Sequence, residues 1–122
     1  MMSTSVSIFE PVSSPNARLH FEVRLSAGDE PVVGTELKVR LEGSGSLAPS
    51  FDSKQIVRET DDSGRSLVVW YRRGIWDRDV KATLVVEAEQ PEGTTLEIRA
   101  LGPDEISQDT WISWAPRKLK LR

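Results

Sequence analysis

Residues 18–25 read RLHFEVRL, and this stretch decides the fold class. Apolar leucine, phenylalanine and valine alternate with arginine, histidine and glutamate, so the two kinds of side chain fall on opposite faces of an extended strand. Such alternation is typical of a strand that is half-buried in an antiparallel sheet. We therefore predict a strand here, with Leu19, Phe21 and Val23 inward and His20 on an exposed polar face.

The same period-two pattern recurs along the chain and is interrupted by turn residues at intervals of roughly eight to twelve positions. The candidate strands are 5–10, 18–25, 35–42, 55–60, 67–71, 80–89, 94–101 and 110–114. Short strands of this kind, without a helical stripe, predict an all-β fold: an immunoglobulin-like β-sandwich of two antiparallel sheets with about seven to nine strands. We expect a single sandwich domain over residues 1–116 and a basic tail at 117–122.

The inward positions of these strands predict one core between the two sheets. Its expected members are Leu19, Phe21, Val23, Leu37, Val39, Leu41, Val68, Trp70, Ala82, Leu84, Val86, Leu96 and Ile98. Leu67, Val69 and Tyr71 point away from it, to a face that a simple sandwich leaves in water. Three adjacent large apolar side chains indicate a covered face. One possible cover is the C-terminal segment, through Trp111 or Trp114 with Leu119 and Leu121. The other, which we favour, is a partner, with Arg72, Arg73 and the basic tail as the polar rim of the interface.

Composition excludes several kinds of site. The 122 residues contain no cysteine, which removes thiol nucleophiles, disulfides and cysteine-containing zinc sites. A net charge of −3 argues against a nucleic-acid partner. There is no apolar run as long as a membrane span, and residues 1–5 lack the features of a secretory signal. We expect no membrane partner, and a location in the cytoplasm or in a virion or secreted assembly.

Motifs for catalysis and metal binding are weak. There is no Gly-x-Ser-x-Gly elbow, no phosphate-binding loop and no dinucleotide fingerprint. The single histidine, His20, is more typical of an exposed surface residue than of a general base. Residues 61–64 (DDSG) offer oxygens to calcium, but their spacing is more typical of a turn. We predict no catalytic residue, no cofactor and no resident metal.

Three tryptophans outside the predicted core are candidates for ligand contact. Trp76 lies in a loop beside Asp77, where it either stacks on a sugar ring or caps the end of the sandwich. Trp111 and Trp114 are three positions apart, so on a strand they point to opposite faces, one buried and the other exposed or covered by a partner. Our candidate interaction residues are Val69, Tyr71, Trp76, Trp111 and Trp114.

A family pattern is visible over residues 31–89. Its pieces are Val32/Val33-Gly34 with Leu37 and Val39, the loop Gly43-Ser44-Gly45-Ser46-Leu47, Thr60-Asp61 with Gly64, Val68 and Trp70, and Val80 with Ala82. In these motifs the chain resembles bacterial immunoglobulin-like domains of the invasin/intimin type. The resemblance implies the sandwich fold and says little about function, because every matched element is structural. Residues 108–122 have no counterpart in the pattern.

These observations together predict a non-enzymatic protein-interaction or structural module. We expect it to be an accessory subunit of a larger assembly, of the phage or secretion-machine type, that contacts a protein partner or a second copy of itself. The alternative is a carbohydrate-binding sandwich that uses Trp76 and takes a glycan as its ligand.

Overall fold

The computed structural model describes residues 2–12, 17–72, 78–90 and 93–102. Their strands are β1 (Met2–Glu10), β2 (Arg18–Ala27), β3 (Glu30–Pro31), β4 (Glu36–Gly43), β5 (Gln55–Glu59), β6 (Arg65–Tyr71), β7 (Val80–Ala88) and β8 (Thr94–Ala100). No helix that could span a membrane is found in these ranges. The predicted strand at 110–114 and the predicted domain boundary at 116 lie outside the described residues.

The strands form two antiparallel sheets, which confirms the predicted β-sandwich. Sheet A has the order β1-β7-β4-β5. In sheet B, β2 pairs with β6 and β8, and the short β3 pairs with the end of β2. Among the described strands, β1 and β5 are the two edges of sheet A.

The first and last described strands, β1 and β8, have exchanged positions compared with an immunoglobulin domain. In that order the second and fifth strands pair, as β2 and β6 do here, and the third and sixth pair, as β4 and β7 do. The first strand of an immunoglobulin domain joins the sheet of the second, whereas β1 pairs with β7. The position beside β2 is taken by β8. This exchange makes β1 an edge of sheet A.

The core lies between the two sheets and contains all the residues predicted for it. Most of them are buried, while Leu19, Leu96 and Ile98 are partly buried against the same cluster. Trp70 is fully buried, and its indole Nε1 donates a hydrogen bond to the Ser44 carbonyl at 2.9 Å. The glycine-rich loop allows this approach, because a Cβ at Gly45 would overlap the indole ring.

Candidate interaction surfaces

The outer face of sheet B contains the two candidate interaction residues that the structure describes. Val69 and Tyr71 lie on β6, on the opposite side from Trp70. Val69 is 7% exposed and packs with Leu67, Tyr71 and Leu101, the residue that follows β8. We call Leu67, Val69, Tyr71 and Leu101 the outer cluster.

The outer cluster shows that this face is covered within the single chain. Leu101 comes from beyond the last strand, as in the first of the two expected coverings, but it is not one of the residues named for that role. Contact of Val69 and Tyr71 with a partner stays a prediction. The other candidates, Trp76, Trp111 and Trp114, lie outside the described residues.

His20 is buried, which corrects the prediction that it is exposed. Its side chain is on the outer face of β2, as the alternation predicts, but only 9% of the residue is exposed. Val69 is its cross-strand partner on β6, and the His20 carbonyl accepts a hydrogen bond from the Leu101 N–H at 2.9 Å. Burial, together with the positive charge of Arg18, lowers the pKa of His20 below its ordinary value of 6.5.

Glu22 is the second residue that the sequence places on a polar face and the structure buries. Its side chain is only 2% exposed. Arg99 Nε donates a hydrogen bond to Oε1 at 2.9 Å, and Arg65 Nη1 donates one to Oε2 at 3.3 Å. Arg24 Nη2 lies 3.7 Å from Oε1. A buried carboxylate needs such partners, because an unpaired charge in a dry environment is very costly.

This ion cluster connects three strands of sheet B. Glu22 and Arg24 are on β2, Arg65 is on β6, and Arg99 is directly opposite Glu22 on β8. Sequence reasoning missed the cluster because Arg65 and Arg99 are 43 and 77 positions away from Glu22. The only signal was the run of charges at alternate positions of β2, which reads equally well as a solvated face.

Two other polar groups considered for function are used by the fold itself. Asp61 Oδ1 accepts hydrogen bonds from the backbone N–H groups of Ser63 and Arg65 at 2.8 and 3.0 Å, which is turn chemistry. Arg72, expected on a polar rim, is instead buried, and its Nη2 donates to the Arg78 carbonyl at 3.0 Å. Among the described residues, no three acidic or histidine side chains come together in a way that could hold a metal ion.

The β1 edge of sheet A is the second candidate surface. β1 pairs with β7 over its full nine residues, and no other described strand pairs with it. Ser3, Ser5, Ser7 and Phe9 are exposed on its outer face, while alternate residues such as Ile8 face the core. Among the strands that the structure describes, none pairs with the other edge of β1.

β1 lacks the features by which edge strands usually avoid pairing. Natural edges are often short or carry charges, prolines or bulges. β1 has neither a charged residue nor a proline before Glu10. The opposite edge, β5, is five residues long and includes Arg58 and Glu59. Lys81 on β7 lies beside the end of β1, with its Nζ 5.9 Å from the centre of the Phe9 ring.

Comparison with known proteins adds no relative to this picture: no family model, no curated protein and no solved structure matches the chain. The resemblance to bacterial immunoglobulin-like domains therefore stays an interpretation of the motifs.

Proposed function

We propose that the chain is a non-enzymatic protein-interaction module of immunoglobulin-like type, an accessory subunit of a larger assembly that contacts its partner by strand addition at β1. The observation that carries this proposal is the edge itself, which is nine residues long, uncharged up to Glu10 and paired on one side by β7. A long unguarded edge is a liability in a protein that does not use it.

Strand addition suits the groups that β1 presents. The main chain of an edge strand supplies N–H and C=O groups for affinity, and alternate side chains supply specificity. On β1 those side chains are three serines and Phe9, which combine hydroxyl groups with one apolar anchor. His20 is buried, Glu22 is paired with arginines, and Asp61 accepts hydrogen bonds within a turn. The involvement of these three residues in the fold supports an interaction role over a catalytic one.

A peptide with the sequence of residues 2–10, labelled with a fluorophore, tests the proposal. Titration of the full chain into this peptide should give saturable binding by fluorescence anisotropy. The double variant Ser5→Lys/Ser7→Lys should lose the binding, because lysines on an edge strand disfavour pairing. Gln55→Lys/Val57→Lys is the matched control, since both of its residues are exposed on β5 and lie on the opposite edge of the same sheet.

A second control uses the peptide. Proline in place of Val6 in the peptide removes a backbone donor and should weaken binding. Equal binding by the β1 and β5 double variants would show that the peptide does not add to β1. Absence of saturable binding, in a chain that also does not associate with itself, would refute strand addition as the function of this edge.

A further inference from the structure

We infer that the strand added at β1 is β1 of a second copy of this chain, related to the first by a twofold axis. Sheet A of each copy has four strands, and the two sheets then join into one continuous sheet of eight strands. This inference rests on the proposed function and adds the identity of the partner.

The sequence of β1 is complementary to itself in an antiparallel pair. A twofold axis at Val6 places Val6 opposite Val6, and Ser5 of each copy opposite Ser7 of the other. Serine hydroxyls that meet across strands can form hydrogen bonds, and β-branched residues pack well against each other. Glu10, the one charge on the strand, is opposite Met2, so no like charges meet.

Closure of the assembly also favours pairing of β1 with itself. A contact between β1 of one copy and β5 of the next uses two different edges, so it leaves free edges at both ends and grows open chains. β5 is short and includes Arg58 and Glu59, features that hinder such growth. A contact between two β1 strands uses the same edge twice and ends with a dimer.

The rim of the core beside β1 supplies a second observation. Met2 and Val6 face the core from β1 but are only partly buried. Their cross-strand partners on β7, Ala88 and Leu84, are buried. Burial of the core residues therefore decreases toward the β1 edge. A second copy placed there covers apolar surface that one chain leaves partly exposed.

Light scattering after size-exclusion chromatography measures the association directly. The wild-type chain should approach twice the 13.6 kDa of one chain as its concentration rises. Ser5→Lys/Ser7→Lys and Ser5→Glu/Ser7→Glu should each remain monomers, because like charges then meet across the twofold axis. An equimolar mixture of the two should recover the doubled mass, since lysines now face glutamates. The β5 variant Gln55→Lys/Val57→Lys should dimerise as the wild type does.

The mixing step separates loss of pairing from loss of folding, because misfolded variants would not recover a dimer. In a twofold pair of antiparallel strands, side chains on the outer face lie opposite other outer-face side chains, so at least one pair of introduced charges meets when the axis lies at residue 5, 6 or 7. A dimer that persists in both charged variants would overturn the inference, since its interface would lie elsewhere. A wild type that stays monomeric at its highest soluble concentration would also overturn it. If the peptide of residues 2–10 still binds that monomer, the proposed function stands without the homodimer.

Discussion

Replacing Glu22 by glutamine should destabilise the protein, although the side chain keeps its size and shape. The wild-type carboxylate is 2% exposed and accepts hydrogen bonds from Arg99 and Arg65, with Arg24 close by. A glutamine there is neutral, and its NH₂ group turns donors toward guanidinium donors. At least one of the two hydrogen bonds is then lost, and three positive charges remain together.

The magnitude follows from the burial of the partners. Removing one member of a fully buried ion pair costs about 3–5 kcal/mol. Here the side chains of Arg65, Arg24 and Arg99 are 33%, 49% and 53% exposed, so water can hydrate them once the carboxylate charge is gone. The loss should therefore be smaller, about 1.5–3 kcal/mol, which is the range for a hydrogen bond to a charged group.

Urea unfolding followed by far-ultraviolet circular dichroism gives the free energy of unfolding. Two variants make the comparison specific. Glu22→Leu should lose less than Glu22→Gln, because leucine leaves no buried polar group and lies beside its cross-strand partner Leu67. Glu97→Gln removes an exposed carboxylate from β8, on the same face as Glu22, and should change stability by no more than about 0.5 kcal/mol.

The reasoning fails if Glu22→Gln behaves like Glu97→Gln. Such a result would mean that the arginines are held by the sheet and gain nothing from the carboxylate. A larger loss of stability for Glu22→Leu than for Glu22→Gln would contradict the argument that a buried neutral polar group is the greater cost. It would show that the site needs a polar group of any charge rather than an anion.

Two further predictions concern burial. The lowered pKa of His20 means that the unfolded chain binds the proton more readily, so the free energy of unfolding should fall as the pH drops below 6.5 and level off below the pKa of the folded state. His20→Gln should lack this contribution when urea unfolding is compared between about pH 7.5 and about pH 5, and an unchanged pH dependence would contradict the assignment. Leu84→Ala should cost about 2–5 kcal/mol in the same assay, because Leu84 is fully buried in the core. The neighbouring Val85→Ala, on the outer face of β7, should cost clearly less, and an equal loss would mean that Leu84 is not a core residue.

The core was predictable because strand alternation is a local property. Successive side chains point to opposite faces, so the parity of Phe21, Val68 or Leu84 determines which residues lie together. Trp70 followed from the same rule, since it shares parity with Val68. The turn at 61–64 was predictable from composition, because an aspartate accepts hydrogen bonds from nearby backbone N–H groups and Gly64 adopts φ +72°.

The prediction that His20 and Glu22 share one face of β2 was correct. The prediction that this face is exposed was wrong. Alternation separates His20 and Glu22 from Phe21 and Val23, but it carries no information about what lies over either side. Leu101 reaches His20 only because β8 pairs with β2, and Arg65 and Arg99 reach Glu22 only across two different strand pairs. Burial of these two residues is therefore a product of strand pairing.

The distinction between alternation within a strand and pairing between strands applies to the whole described fold. The sequence by itself determined the all-β class, the two faces of each strand, most of the core and the uncharged character of β1. Only the tertiary structure decided that β1 pairs with β7 and β8 with β2, and hence that β1 is an edge and that Glu22 is surrounded by arginines. Side-chain parity is set by the geometry of one extended chain. Strand order depends on contacts between residues far apart in sequence, so it cannot be predicted from any one segment.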